Sequence, residues 1–107
     1  MARYGTVVKE ALWVQDKDAQ IMNALLGIAG EAGEILDFYK KKLFHPSRAQ
    51  KDVDLRLEEG DLLFYLALFH ENHDGDSLLE VAKDNIRKLQ RRWPDRYNDV
   101  DVEALTL

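Results

Sequence analysis

An all-α fold, a four-helix bundle completed by oligomerisation, is what this sequence predicts, and three observations carry it. Apolar residues recur at steps of three and four along four successive segments, the period of a helix with one buried stripe. Polar or proline-containing breaks separate the segments: Asp16-Lys17-Asp18, His45-Pro46-Ser47 and His73-Asp74-Gly75-Asp76. Only 6 Gly and 2 Pro among 107 residues leave too few turn formers for a many-turned β-sandwich.

The first helix is predicted over Thr6 to Gln15, where Val7, Val8, Ala11, Leu12 and Val14 accompany Trp13. Asp16 then offers an N-cap. The second helix runs from about Ala19 to Leu43 on Ile21, Leu25, Ile28, Ala32, Ile35, Phe38 and Tyr39. Gly27, Gly30 and Gly33 fall inside it, each costing a helix interior roughly 0.5–1 kcal/mol relative to Ala. Their spacing points to a close approach by another backbone or a ligand, with tight helix packing and ligand contact weighted alike. Lys40-Lys41-Lys42 sits in the last turn, where cations complement the helix dipole.

The third helix is expected from Asp52 to Asn72. Its run Leu62 to Phe69 is apolar on nearly every side and needs cover on every side. Leu63, Leu66 and Phe69 point at different angles, so part of this helix is expected at a subunit interface. Ser77-x-x-Glu80 reads as a capping box opening the fourth helix, and Trp93-Pro94 closes it. The acidic stretch beyond Tyr97 is expected to be extended or loosely held. The aromatics Trp13, Phe38, Tyr39, Phe64, Tyr65 and Phe69 are assigned to the core, and His45, His70 and His73 to surface or loop.

One domain, 1–107, accommodates all of this. The absence of cysteine excludes disulfide frameworks, zinc knuckles, iron–sulfur clusters and thiol nucleophiles. A net charge of −5 argues against a nucleic-acid partner. The apolar run is far short of the ~20 residues a membrane span takes, and no signal peptide is visible, so a cytoplasmic protein without a membrane partner is expected.

Two acidic pairs carry the chemistry. Glu31 and Glu34 lie at i, i+3 on the second helix, and Glu58 and Asp61 at i, i+3 on the third, beside Gly60. Residues three apart share a face, so each pair offers two carboxylates to one point. All four border the core, where like charges need a counter-charge. A divalent cation supplies it, and an all-oxygen set suits Mg²⁺, with Mn²⁺ able to substitute. The fourth helix offers the complement: Asn85, Lys88 and Arg92 form one stripe. Lys83 to Arg96 holds six basic residues against two acidic ones. Acids for a metal and a basic stripe together suit a nucleoside polyphosphate.

Leu26-Gly27-Ile28-Ala29-Gly30-Glu31-Ala32-Gly33-Glu34, then Glu58-Glu59-Gly60-Asp61-Leu62-Leu63-Phe64-Tyr65-Leu66, then Asn85-Ile86-Arg87-Lys88-Leu89-Gln90-Arg91-Arg92-Trp93-Pro94 resemble, in that order, the MazG-like all-α nucleoside triphosphate pyrophosphohydrolases. The ExxE–spacer–ExxD pattern and fourth-helix signature cover about residues 23–97. Arg96-Tyr97 departs from the glycine and aromatic that often follow the proline. The resemblance implies cleavage of an NTP or dNTP to the monophosphate and pyrophosphate, with Glu31, Glu34, Glu58 and Asp61 as Mg²⁺ ligands. It also implies Asn85, Lys88 and Arg92 on the triphosphate and assembly as a homodimer or homotetramer. Water would attack the α-phosphorus, Glu34 being a candidate base and Lys88 covering the pyrophosphate. The chain is short like small phage members, some of which act on dGTP, and would then work in the host cytoplasm. The competing expectation is a non-catalytic helical interaction module whose acids are surface decoration.

Overall fold

The computed structural model describes residues 3–11, 16–73 and 78–107, apart from the Ala11 side chain. All regular structure among these residues is helical: α1 Tyr4–Ala11, α2 Lys17–Phe44, α3 Asp52–His73, α4 Leu78–Arg92 and the short α5 Pro94–Tyr97. Single 3-10 turns lie at Pro46–Arg48 and Val102–Ala104. The predicted continuation of the first helix through Leu12, Trp13 and Val14 lies outside the described residues, as do the turn at 74–76 and the Ser77 end of the capping box.

Local chemistry sets the boundaries. The Asp16 side chain accepts from the Asp18 backbone N–H at 3.1 Å, which caps α2. His45 closes α2 by donating its backbone N–H to the Lys41 carbonyl, and Pro46 starts the 3-10 turn. Asp54 accepts from the Lys51 backbone N–H at 2.9 Å, pinning the first turn of α3.

Helices α2 and α3 form an antiparallel hairpin in a clear register. At one end the Asn72 side chain donates to Gln20 Oε1 at 2.9 Å, and both side chains are buried. Further along, Gly27 meets the Tyr65 ring. Beyond that, Glu31 faces Glu58 and Asp61. The positions 20, 24, 27, 31 on α2 and 58, 61, 65, 68, 72 on α3 thus make one inner seam, stepping by four and three. Helix α1 crosses α3: Val8 joins Ala24, Ala67 and Leu68 in the core, and Arg3 forms a two-pronged ion pair with Glu71. Phe64, Tyr65, Phe69 and Leu78 pack around that core.

Two expectations are corrected here. His70 is buried rather than on the surface, because it follows Ala67 by three residues on the turn that faces the core. The stretch beyond Tyr97 is not loose. Gln90 donates to the Tyr97 and Val100 carbonyls, both at 3.0 Å, and Arg87 bridges Asp84 and Glu103, each at 2.8 Å. Asp101 caps the last turn through the Glu103 N–H. Glu103, one of the acids of that stretch, is therefore the ion-pair partner that holds it to α4 through Arg87 and Lys83.

The protomer is open. Its radius of gyration is 16.9 Å, against about 13 Å for a compact chain of this length. Its accessible surface is 8050 Å², where a monomer of 12.4 kDa averages about 6,100 Å². Leu63 and Leu66 stay 41% and 39% exposed, whereas Phe69 packs on its own core.

The three α2 glycines differ. A Cβ on Gly27 would lie 2.3–2.5 Å from Tyr65 ring atoms, so close packing within the chain explains that glycine. Gly30 and Gly33 face no atom within 4 Å. Gly27→Ala should therefore lower stability by about 1–3 kcal/mol through overpacking, more than the helix-propensity gain. Gly60→Ala, with open space at its Cβ, should instead stabilise by roughly 0.5–1 kcal/mol. Denaturant melts of the pair check this, and an unchanged midpoint for Gly27→Ala would refute the close contact.

Candidate active site

The seam that carries Ala24 and Leu68 at one end carries carboxylates in its middle. Glu31 enters from α2 and Glu58 and Asp61 from α3, with an oxygen of each lying within 4.8 Å of the others. Glu31 and Glu58 are half-buried and Asp61 is exposed. One turn away, the Gly27–Tyr65 contact fixes how closely the two helices approach, so Tyr65 floors this end of the site. Sequence reading placed Tyr65 in the core and missed that role; the spacing of Gly27 was its only signal.

Charge dominates the cluster. The Glu31 carboxyl is pushed up from 4.5 to about 7, first by a hydrogen bond that its protonated form shares with Glu58. Desolvation follows, then repulsion from Glu58, Asp61 and Glu34. With both carboxyls ionised neither can donate, and Glu31 Oε2 is buried with no hydrogen-bond partner among the described residues. A buried acceptor among three convergent oxygens fits a small hard cation, which satisfies the acceptor and neutralises the repulsion together.

The raised Glu31 carboxyl has a definite consequence for pH. Folding favours its protonated form, so in metal-free protein this stabilisation is complete below 4.5 and vanishes as pH rises through about 7. Glu31→Gln cannot titrate. In EDTA, the melting temperature of wild type relative to Glu31→Gln should fall between about pH 5 and pH 8, and Mg²⁺ should reverse that fall. A constant difference across the range would show that Glu31 is not held in this cluster.

The remaining candidates lie elsewhere. Glu34 is exposed and outside the three-oxygen group, although its charge still acts on Glu31. Asn85, Lys88 and Arg92 are exposed on α4. Past its first turn, α4 packs against α5 and the Val102–Ala104 turn rather than against the α2–α3 pair. No hydrogen bond or ion pair ties Asn85 or Lys88 to another described residue, and the Arg92 guanidinium lies 5.4 Å from the centre of the Trp93 ring. One protomer therefore assembles the acids but does not bring the basic stripe onto them.

Among the described residues the chain is helical, and its central hairpin directs three carboxylates to one point, a group that could hold a metal ion. The family model for the MazG nucleotide pyrophosphohydrolase domain matches residues 20–97, nearly three-quarters of the sequence, and the chain belongs to that family. No curated protein and no solved structure gives a significant match. No helix among the described residues is long and apolar enough to cross a membrane.

Proposed function

We propose that this chain is a Mg²⁺-dependent nucleoside triphosphate pyrophosphohydrolase, cleaving a (d)NTP to the monophosphate and pyrophosphate, with dNTPs as the preferred class and dGTP the first to test. The observation that carries this is the convergence of Glu31, Glu58 and Asp61 around a buried, unpartnered oxygen. Family membership supports the reaction type. Glu31, Glu58 and Asp61 would hold the cation, with Glu34 at the rim. Bound there, Mg²⁺ or Mn²⁺ supplies positive charge for the phosphate oxygens and acidity for a water.

The chain's own groups do the rest. The Glu34 carboxylate, exposed beside the cluster, takes the proton as water attacks the α-phosphorus and the bond to the bridging oxygen breaks. The Lys88 ammonium covers the charge on the departing pyrophosphate, the Asn85 amide donates to a phosphate oxygen, and Arg92 adds a planar fork. The whole of 1–107 acts as one domain. Self-association into a homodimer or homotetramer covers the excess surface and brings α4 stripes to the acids. The reading places the protein in the cytoplasm, the host's if phage-encoded.

The test is a panel of all eight NTPs and dNTPs with Mg²⁺, scored for pyrophosphate and monophosphate. Equal amounts of the two products from at least one nucleotide, abolished by EDTA, are expected. No turnover on any of the eight, with a melting temperature indifferent to Mg²⁺ plus dNTP, would favour the interaction module instead.

A further inference from the structure

Helix α2 carries two apolar faces. The inner one packs on α3. At 100° per residue, Met22, Leu26, Ala29, Gly33, Leu36 and Leu43 form a second stripe roughly opposite to it. Their steps of four and three are those of a coiled-coil seam, with Lys40 in the one remaining place. Nothing in the protomer covers this face among the described residues. Leu26, Leu36 and Leu43 are 66%, 71% and 68% exposed, and the Cβ position of Gly33 has no atom within 4 Å.

We infer that this outer face of α2 pairs antiparallel with the same face of a second copy, across a two-fold axis beside Ala29. The inference rests on the reading that the chain self-associates and names the surface that does it. Charge selects both occupant and direction. Asp18 lies one turn before Met22 and Lys40 lies between Leu36 and Leu43. Antiparallel pairing centred on Ala29 sets Met22 against Leu36 of the second copy and Asp18 against its Lys40, each contact occurring twice by symmetry. Parallel pairing would oppose Asp18 to Asp18 and Lys40 to Lys40. Small residues at the centre, Ala29 and Gly33, allow an interaxial distance at the short end of the ~8–10 Å range. Area agrees, since the protomer exposes about 1,900 Å² more than a compact chain of its mass. A stable interface takes about 800 Å² per partner.

The chain has no cysteine, so a single introduced thiol reports the axis. Full-length Ala29→Cys under mild oxidant should run as a disulfide-linked dimer, while Glu10→Cys, exposed on α1, should not. Leu36→Glu should shift the light-scattering mass to that of a monomer with its helical circular dichroism unchanged. Asp18→Lys should weaken self-association at least severalfold, and adding Lys40→Asp should restore it. A wild type that is monomeric at micromolar concentration overturns self-association and this surface together. A wild-type dimer or tetramer in which Ala29→Cys fails to cross-link and Leu36→Glu keeps its mass overturns the α2 face alone.

Discussion

Asp61→Asn is expected to reduce pyrophosphate release at least about a hundredfold, the upper end of what losing even an outer-shell partner costs a metal site. The side chain is exposed, so its replacement by an isosteric amide leaves no cavity and disturbs no packing. What it removes is the negative charge of one of three carboxylates whose oxygens lie within 4.8 Å of one another. The same change takes a negative charge away from Glu31, so metal-free stability should hold or rise while the stabilisation by Mg²⁺ shrinks. Steady-state turnover and melting curves with and without Mg²⁺ separate these effects. Near wild-type turnover in Asp61→Asn would sink the metal assignment. Glu34→Gln should likewise stop turnover if Glu34 is the base, but it should retain most of the Mg²⁺-dependent stabilisation, because Glu34 stands outside the three-oxygen group.

Lys88→Ala should lower kcat/KM by roughly a hundredfold or more. Losing one donor aimed at developing charge costs about 2.7–4 kcal/mol in oxyanion sites, and an ammonium covering a departing pyrophosphate belongs to the same class. Lys88 is exposed and bonded to no other described residue, so stability should barely change. Lys83 provides the contrast. Its ammonium lies 3.7 Å from Glu80 and 3.8 Å from Glu103, holding the C-terminal turn to α4. Lys83→Ala should therefore loosen that turn, a small loss for exposed pairs, and leave kcat/KM nearly intact. Equal kinetic losses in the two variants would mean that α4 acts only as a diffuse positive field.

Much of the site was legible because its residues obey helix periodicity. Spacing alone puts Glu31 beside Glu34 and Glu58 beside Asp61, and neighbouring core residues place both pairs at the apolar border. Spacing within a helix says nothing about which member of a pair reaches across to the next helix. The α2–α3 register chose Glu31, because the contacts of Gln20 with Asn72 and of Gly27 with Tyr65 carry position 31 onto the same seam. Glu34 sits one turn on, where the face has rotated towards solvent. The C-terminal turn was misread for a similar reason. Composition saw only its acids, whereas Arg87, sixteen residues before Glu103, pairs with that acid, and Gln90 donates to the Val100 carbonyl ten residues on.

The sequence by itself determined the helical class, the breaks at Asp16, His45-Pro46 and Trp93-Pro94, and the acidic character of both helix faces, since capping, proline geometry and periodicity are local properties of the chain. Tertiary structure alone decided which of the two apolar faces of α2 meets α3. A heptad-like spacing on both sides makes the choice degenerate locally, and it is resolved by Gly27 accepting the Tyr65 ring and by the buried Gln20–Asn72 pair. That choice turns Glu31 inwards to Glu58 and Asp61, where repulsion and desolvation raise its carboxyl to about 7. It also leaves Leu26, Gly33 and Leu36 facing outwards, because a helix that buries one side against its neighbour must present the opposite side to something else.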